Sequence, residues 1–157
     1  MICWRFARNN HRGLSMKTIL FLCGAKKSYV RNSLNLKALK KNAKVIEIGS
    51  NAKSYYLRLP LILLRFLFCF QKYSLIFVGF LGQVLMPLVK LRTRKPIIFD
   101  AFISLYDTLC LDRKIFKPNS LMGKLAFWLD KKSCEWADAV ITDTDAHADY
   151  FSKTFDI

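Results

Sequence analysis

Five short apolar runs recur along the chain, each closing on a small or acidic residue: KTILFLC (Lys17–Cys23), KVIEIG (Lys44–Gly49), SLIFVG (Ser74–Gly79), PIIFD (Pro96–Asp100) and DAVITD (Asp138–Asp143). Such runs, rich in β-branched residues and apolar at consecutive positions, fit strands covered on both faces, and the stretches between them fit helices. The pattern predicts βαβ units and hence an α/β fold, a doubly wound parallel sheet of about five or more strands. SYVRNSLNLKALKKN (Ser28–Asn42) reads as a basic amphipathic helix. NSLMGKLAFWLDKKSCEW (Asn119–Trp136) follows Pro118 and places Leu121, Leu125, Trp128 and Leu129 at helical spacing, a stripe expected to pack on the sheet. TDAHADYFSKTF begins a last helix with Thr144 as N-cap.

The most apolar part of the chain tests a membrane reading. LRLPLILLRFLFCF (Leu57–Phe70) and LIFVGFLGQVLMPLV (Leu75–Val89) each fall short of the ~20 unbroken residues of a spanning helix, and Arg65 and Lys72 interrupt them. A helix lying on a bilayer surface, or a core helix followed by a buried strand, is expected instead of a hairpin in the bilayer. Residues 1–15 carry Arg5, Arg8 and Arg12 and no apolar segment, so they are not a secretory signal. They are expected to be a disordered or mis-annotated extension with Met16 as the true start, and 16–157 to be one domain without repeats or linkers.

Charge divides the chain. Residues 1–99 hold 19 Lys/Arg against Glu47 alone, whereas 100–157 hold 7 against 10 acids, which together make the formal +15. The first part suits anionic partners, a membrane surface above all. Nucleic acid is disfavoured, because the basic residues are interleaved with apolar runs and not with stacking aromatics. Five cysteines without a C-x-x-C pair read as reduced thiols in a reducing cytoplasm, and no zinc pattern is present.

All nine aspartates follow residue 99, and seven of them fall in two groups at the fourth and fifth apolar runs, in residues 95–114 and 137–151. In an open parallel sheet the carboxyl ends of the strands are where ligands bind. FDAFISLYDTLCLDRK gathers Asp100, Ser104, Asp107, Asp112 and Arg113 on a loop after a buried strand, where a carboxylate could take a proton from a hydroxyl. DTD (Asp143–Asp145) admits a metal-bridging pair, a phosphatase nucleophile and acid (Asp143 and Asp145), or simply a strand end and helix cap. His147, four residues after Asp143, is placed to be oriented by it as a base or phosphate ligand. CGAKKS behind the first strand offers Gly24 and backbone N–H groups for a phosphate, but neither G-x-G-x-x-G nor a G-K-[ST] loop is there.

From Met16 onward these segments resemble the N-terminal half of a GT-B glycosyltransferase, nearest to family 4. KPIIFDAFISLYDTLCLDRK and DKKSCEWADAVITDTDAHADYF are similar to that family's progression of strand, acidic or His loop, long helix and A-D-x-V-I-T. The resemblance implies a Rossmann-like acceptor-side domain acting on a nucleotide-sugar donor and a glycan or lipid-linked acceptor of the cell envelope. It implies Asp100 and Asp107 as catalytic residues, with Gly24 near the donor diphosphate. Ser104, Asp112 and Arg113 would line the acceptor site, and Asp143, Thr144 and His147 the cleft. It implies no metal and no cofactor, and a peripheral position on the inner face of the cell membrane. The family's Glu-x7-Glu donor motif has no counterpart, since Glu47 and Glu135 are the only glutamates. The expectation is therefore half an enzyme, truncated before its donor domain: a truncated reading frame, a split-gene subunit served by a separate donor-domain polypeptide, or a remnant, incomplete or inactive as this chain alone. The alternatives are a non-catalytic module for anionic membrane surfaces and, as a lesser one, the phosphatase.

Overall fold

The structure, a computed structural model, describes residues 3–5, 18–26 and 28–157. Strands β1 (Cys3–Arg5), β2 (Thr18–Leu22), β3 (Lys44–Ile48), β4 (Leu75–Val78), β5 (Ile97–Asp100) and β6 (Ala139–Thr142) form one sheet in the order β1-β6-β5-β4-β2-β3. The five strands β2 to β6 are mutually parallel, and β1 adds antiparallel to β6. Five helices accompany them: α1 (Val30–Asn42), α2 (Tyr55–Leu67), α3 (Met86–Arg92), α4 (Leu121–Trp136) and α5 (Asp145–Phe155). All five expected strands are present and parallel, in the α/β, Rossmann-like, doubly wound arrangement. Of the expected N-terminal extension, Cys3–Arg5 form β1; the remainder, with Met16 and Lys27, lies outside the described residues.

Alternation along β2 explains the two layers. Ile19, Phe21 and Cys23 face α1, where Leu36 and Leu39 cover them, and Phe21 stacks on Phe77 of β4 with centroids 5.5 Å apart. Leu20 and Leu22 face the other way, into a larger core that takes Ile62 and Phe66 from α2, Met86 and Val89 from α3, Cys134 from α4 and Phe151 and Phe155 from α5. Each such fully buried side chain contributes about 1.5–3 kcal/mol relative to exposure. Counted along the chain, the parallel strands run 2-1-3-4-5 across the sheet, so the order reverses between β2 and β4.

Two apolar segments resolve differently from each other. LIFV is the buried strand β4 and α2 is a core helix, as one expectation had it, although α2 keeps Leu57, Leu61 and Leu64 exposed. Among the described residues no helix is long and apolar enough to cross a membrane. The reading of α4 is corrected. Leu121 is 82% exposed and Leu125 and Trp128 also face solvent, while Gly123, Ala126, Asp130, Ser133 and Cys134 are buried. The inner face is the one with small side chains because the backbone comes close: a Cβ on Gly123 would lie 2.5 Å from the Lys117 carbonyl oxygen. Hydrophobic spacing alone selected the wrong side of the helix.

Candidate functional site

The carboxyl ends of β5 and β6 bring the two acidic groups together. Ile98 and Asp100 alternate onto the α1 side of β5, and Asp100 is 1% exposed. Its carboxylate accepts from Arg31 Nε at 3.0 Å on both oxygens, from Arg31 Nη2 at 2.7 Å and from Asn35 Nδ2 at 2.9 Å. Arg31 and Asn35 are one turn apart on α1, so a single helix face supplies both donors. The guanidinium also lies 4.3 Å over the Phe102 ring, and Phe80 packs edge-on against Phe102 and tilted against Tyr29. Burial pushes the Asp100 carboxyl up, while the hydrogen bonds and charge of Arg31 and the Asn35 amide pull it down less strongly.

On the adjacent strand end, Asp143 meets His147. Thr144 caps α5 by accepting from the His147 N–H at 3.2 Å, which fixes the first helical turn and sets the imidazole Nδ1 2.9 Å from Asp143 Oδ1. The ring packs on Phe151 at 5.1 Å. Burial acts to raise the Asp143 carboxyl, but the His147 hydrogen bond and charge, helped by Arg31, hold it below its ordinary value. Asp143 in turn adds to the upward push on Asp100, so the two pairs sense each other's charge.

The other expected residues go elsewhere. Ser104 is buried, donates to Asp130 Oδ2 at 2.8 Å and accepts from the Asp107 N–H at 2.9 Å. Asp130 also accepts from the N–H groups of Leu105 (3.1 Å) and Tyr106 (2.8 Å) and from Gln83 Nε2 (3.2 Å). Its carboxyl is pushed up by burial and held back by those four donors. Asp107 opens a π-helical turn (Asp107–Asp112) and lies near Tyr150, whose phenol is raised by burial and by the Asp107 charge. Asp112 and Arg113 end that turn and face solvent.

Gly24 marks the point where strand order reverses, yet its small size has a local cause. A Cβ there would lie 2.0 Å from the Leu81 carbonyl oxygen, because the loop after β4 crosses directly over it. The Ala25 N–H donates to the Phe80 carbonyl at 3.1 Å. Buried Asn32 ties the two loops by donating to the Lys26 carbonyl at 3.1 Å and accepting from the Phe80 N–H at 3.2 Å. The N–H groups of Ala25 and Phe80 are thus engaged within the protein and do not point at a phosphate.

The structure therefore joins Asp100, Asp143, Thr144 and His147, and separates them from Ser104 by the Asp130 network. Sequence reasoning missed Arg31, Asn35 and Phe102. The available signal was the i, i+4 pair of polar side chains at the start of the helix leaving the first parallel strand, which must stand over the same sheet edge. Among the described residues, no three His, Cys, Asp or Glu side chains gather as metal ligands. No family model, no curated protein and no solved structure matches the chain.

Proposed function

We propose that this domain is the acceptor-binding half of a glycosyltransferase, working with a donor-binding half that holds the nucleotide sugar. The observation that carries the reading is the pairing of Asp143–His147 with Arg31–Asp100 at the carboxyl edge of the parallel sheet. With Nδ1 engaged by Asp143, Nε2 of His147 is the atom that takes the proton of an acceptor hydroxyl, and Asp143 stabilises the resulting imidazolium. Asp100 acts in this scheme as a positioning residue: its carboxylate holds the Arg31 guanidinium in one orientation beside the dyad. The acceptor is a glycan or a lipid-linked sugar, which places the protein peripherally on the inner face of the membrane.

Ligand- and protein-observed NMR with glycans, lipid-linked oligosaccharide analogues and nucleotide sugars tests the assignment. Acceptor-type ligands should bind the wild-type domain, shift the His147 ring resonances and lose at least tenfold affinity in His147→Ala and Asp143→Asn. Binding that both variants retain, or a domain that takes no acceptor at all, removes the proposal. The rival reading, a non-catalytic module for anionic surfaces, is favoured by the exposed apolar face of α2, and it requires Asp143 and His147 to be dispensable for every activity.

A further inference from the structure

The outer side of α2 is the largest feature that the site does not use. Leu57, Leu61, Leu64 and Phe68 recur at i, i+4, i+7 and i+11, which is one stripe of a helix, and it lies opposite the buried Ile62 and Phe66. All four are exposed, Leu57 to 66% and Phe68 to 70%, and Phe70 just beyond the helix is 81% exposed. The end of α3 joins them. Arg92 donates to the carbonyls of Phe66 (3.3 Å) and Cys69 (3.2 Å) and lies 5.9 Å over the Phe70 ring, and the neighbouring Leu91 is 85% exposed. Isolated exposed leucines need no explanation, but a contiguous stripe of leucine and phenylalanine in a water-facing position marks a contact surface.

The charges around the stripe select its partner. No Asp or Glu stands between Glu47 and Asp100, so every formal charge in that part of the chain is positive. Lys53 precedes the helix, and Lys72 and Arg92 stand at its far end, all exposed. Arg58 and Arg65, along one flank, donate to the carbonyls of Ala52 (3.1 Å), Lys53 (3.3 Å) and Gly49 (2.8 Å), which fixes the helix to the loop after β3. A protein partner generally meets mixed charges with mixed charges. An apolar helix face carried by a stretch of chain whose charges are all positive complements a soft, flat, negatively charged surface.

We infer that the outward face of α2, extended by Phe68, Phe70 and Leu91, docks into the headgroup and upper acyl region of an anionic lipid bilayer. The helix, roughly 20 Å long at 1.5 Å per residue, lies in the plane of the interface and does not cross it. Because α2 follows β3, its first turn stands at the carboxyl edge of the sheet, on the face opposite α1 and at the strand farthest from β6. The inference rests on the peripheral-membrane part of the reading above and is independent of sugar transfer.

Vesicle co-sedimentation of the full chain tests it, using phosphatidylglycerol-containing and pure phosphatidylcholine vesicles over a salt series. The wild type should bind the anionic vesicles at least tenfold better than the neutral ones, with binding that weakens as salt rises. The Leu57→Gln/Phe68→Gln/Phe70→Gln variant, changed only at exposed positions, should keep the wild-type circular dichroism and melting and lose about tenfold or more in binding. Wild-type binding that the triple variant retains overturns this face while leaving the membrane reading standing. A wild type that binds no vesicle overturns the membrane reading itself. A wild-type dimer that the triple variant converts to monomer, without vesicle binding by either, assigns the face to a second copy of the chain and also overturns the inference. His147→Ala should bind vesicles as the wild type does, which separates this result from the acceptor test.

Discussion

Asp130 and Asp143 are both aspartates near the carboxyl edge of one sheet, and they have opposite fates. Asp130 is buried and holds four donors from two different segments, the loops after β5 and after β4. Asp143 is exposed and holds one imidazole. Burial dominates the first and raises its carboxyl, whereas the His147 hydrogen bond and charge outweigh burial at the second and lower it. An acid in this fold can brace a loop or stay open to solvent beside an imidazole, and accessibility separates the two. Asp100 stands between them, as buried as Asp130 yet paired with the guanidinium that faces Asp143.

The comparison is broken most directly at Asp130. Asp130→Ala leaves two backbone N–H groups, the Ser104 hydroxyl and the Gln83 amide without their acceptor, and should cost about 4 kcal/mol in urea-monitored unfolding. Asp143→Ala should cost about 0.5 kcal/mol in the same measurement, as expected of an exposed pair. Near-equal losses would dissolve the distinction between brace and site. Gly24→Ala forces a Cβ against the Leu81 carbonyl and should destabilise by about 3 kcal/mol through a shift of the loop after β4. Asp100→Asn keeps the shape but leaves Arg31 without a counter-charge, at a cost of about 2 kcal/mol.

The smallest effect is one of sign. Asp143 has a folded pKa below its ordinary value, so its contribution is present above that ordinary value and is lost as pH falls through the lowered one. Asp130 has a raised folded pKa, so its contribution is fully present below the ordinary value and is lost as pH rises through the raised one. Stability measured from pH 2 to pH 6 should therefore show a shallower acid-side fall in Asp143→Asn than in the wild type. An unchanged acid limb would mean that the His147 pair contributes nothing to folding.

The strands were legible because a buried parallel strand must be apolar on both faces, and the runs around Phe21, Phe77 and Phe99 meet that demand without reference to anything distant. Asp100 and Asp143 were legible for the same reason, as polar residues at the ends of such runs. Their partners were less so. Arg31 lies 69 residues before Asp100, and only its i, i+4 spacing from Asn35 sets it apart from the other cations of α1. Ser104 and Asp107 were grouped with Asp100 by adjacency, although backbone direction turns Ser104 toward Asp130 on α4. The side of α4 that faces inward was misread because close approach of backbones favours Gly123, Ala126 and Ser133 over the leucines.

Among the described residues β3 ends the sheet on the side away from β1, and one rim of its peptide groups faces no further strand. A bare rim of that kind invites a neighbouring molecule to add itself and begin polymerising. Lys44 opens that strand and Glu47, ion-paired with Lys40, sits within it, so an incoming chain would have to strip water from fixed charges. Charges that look like ordinary solubilising decoration thus stand where strand addition would otherwise begin.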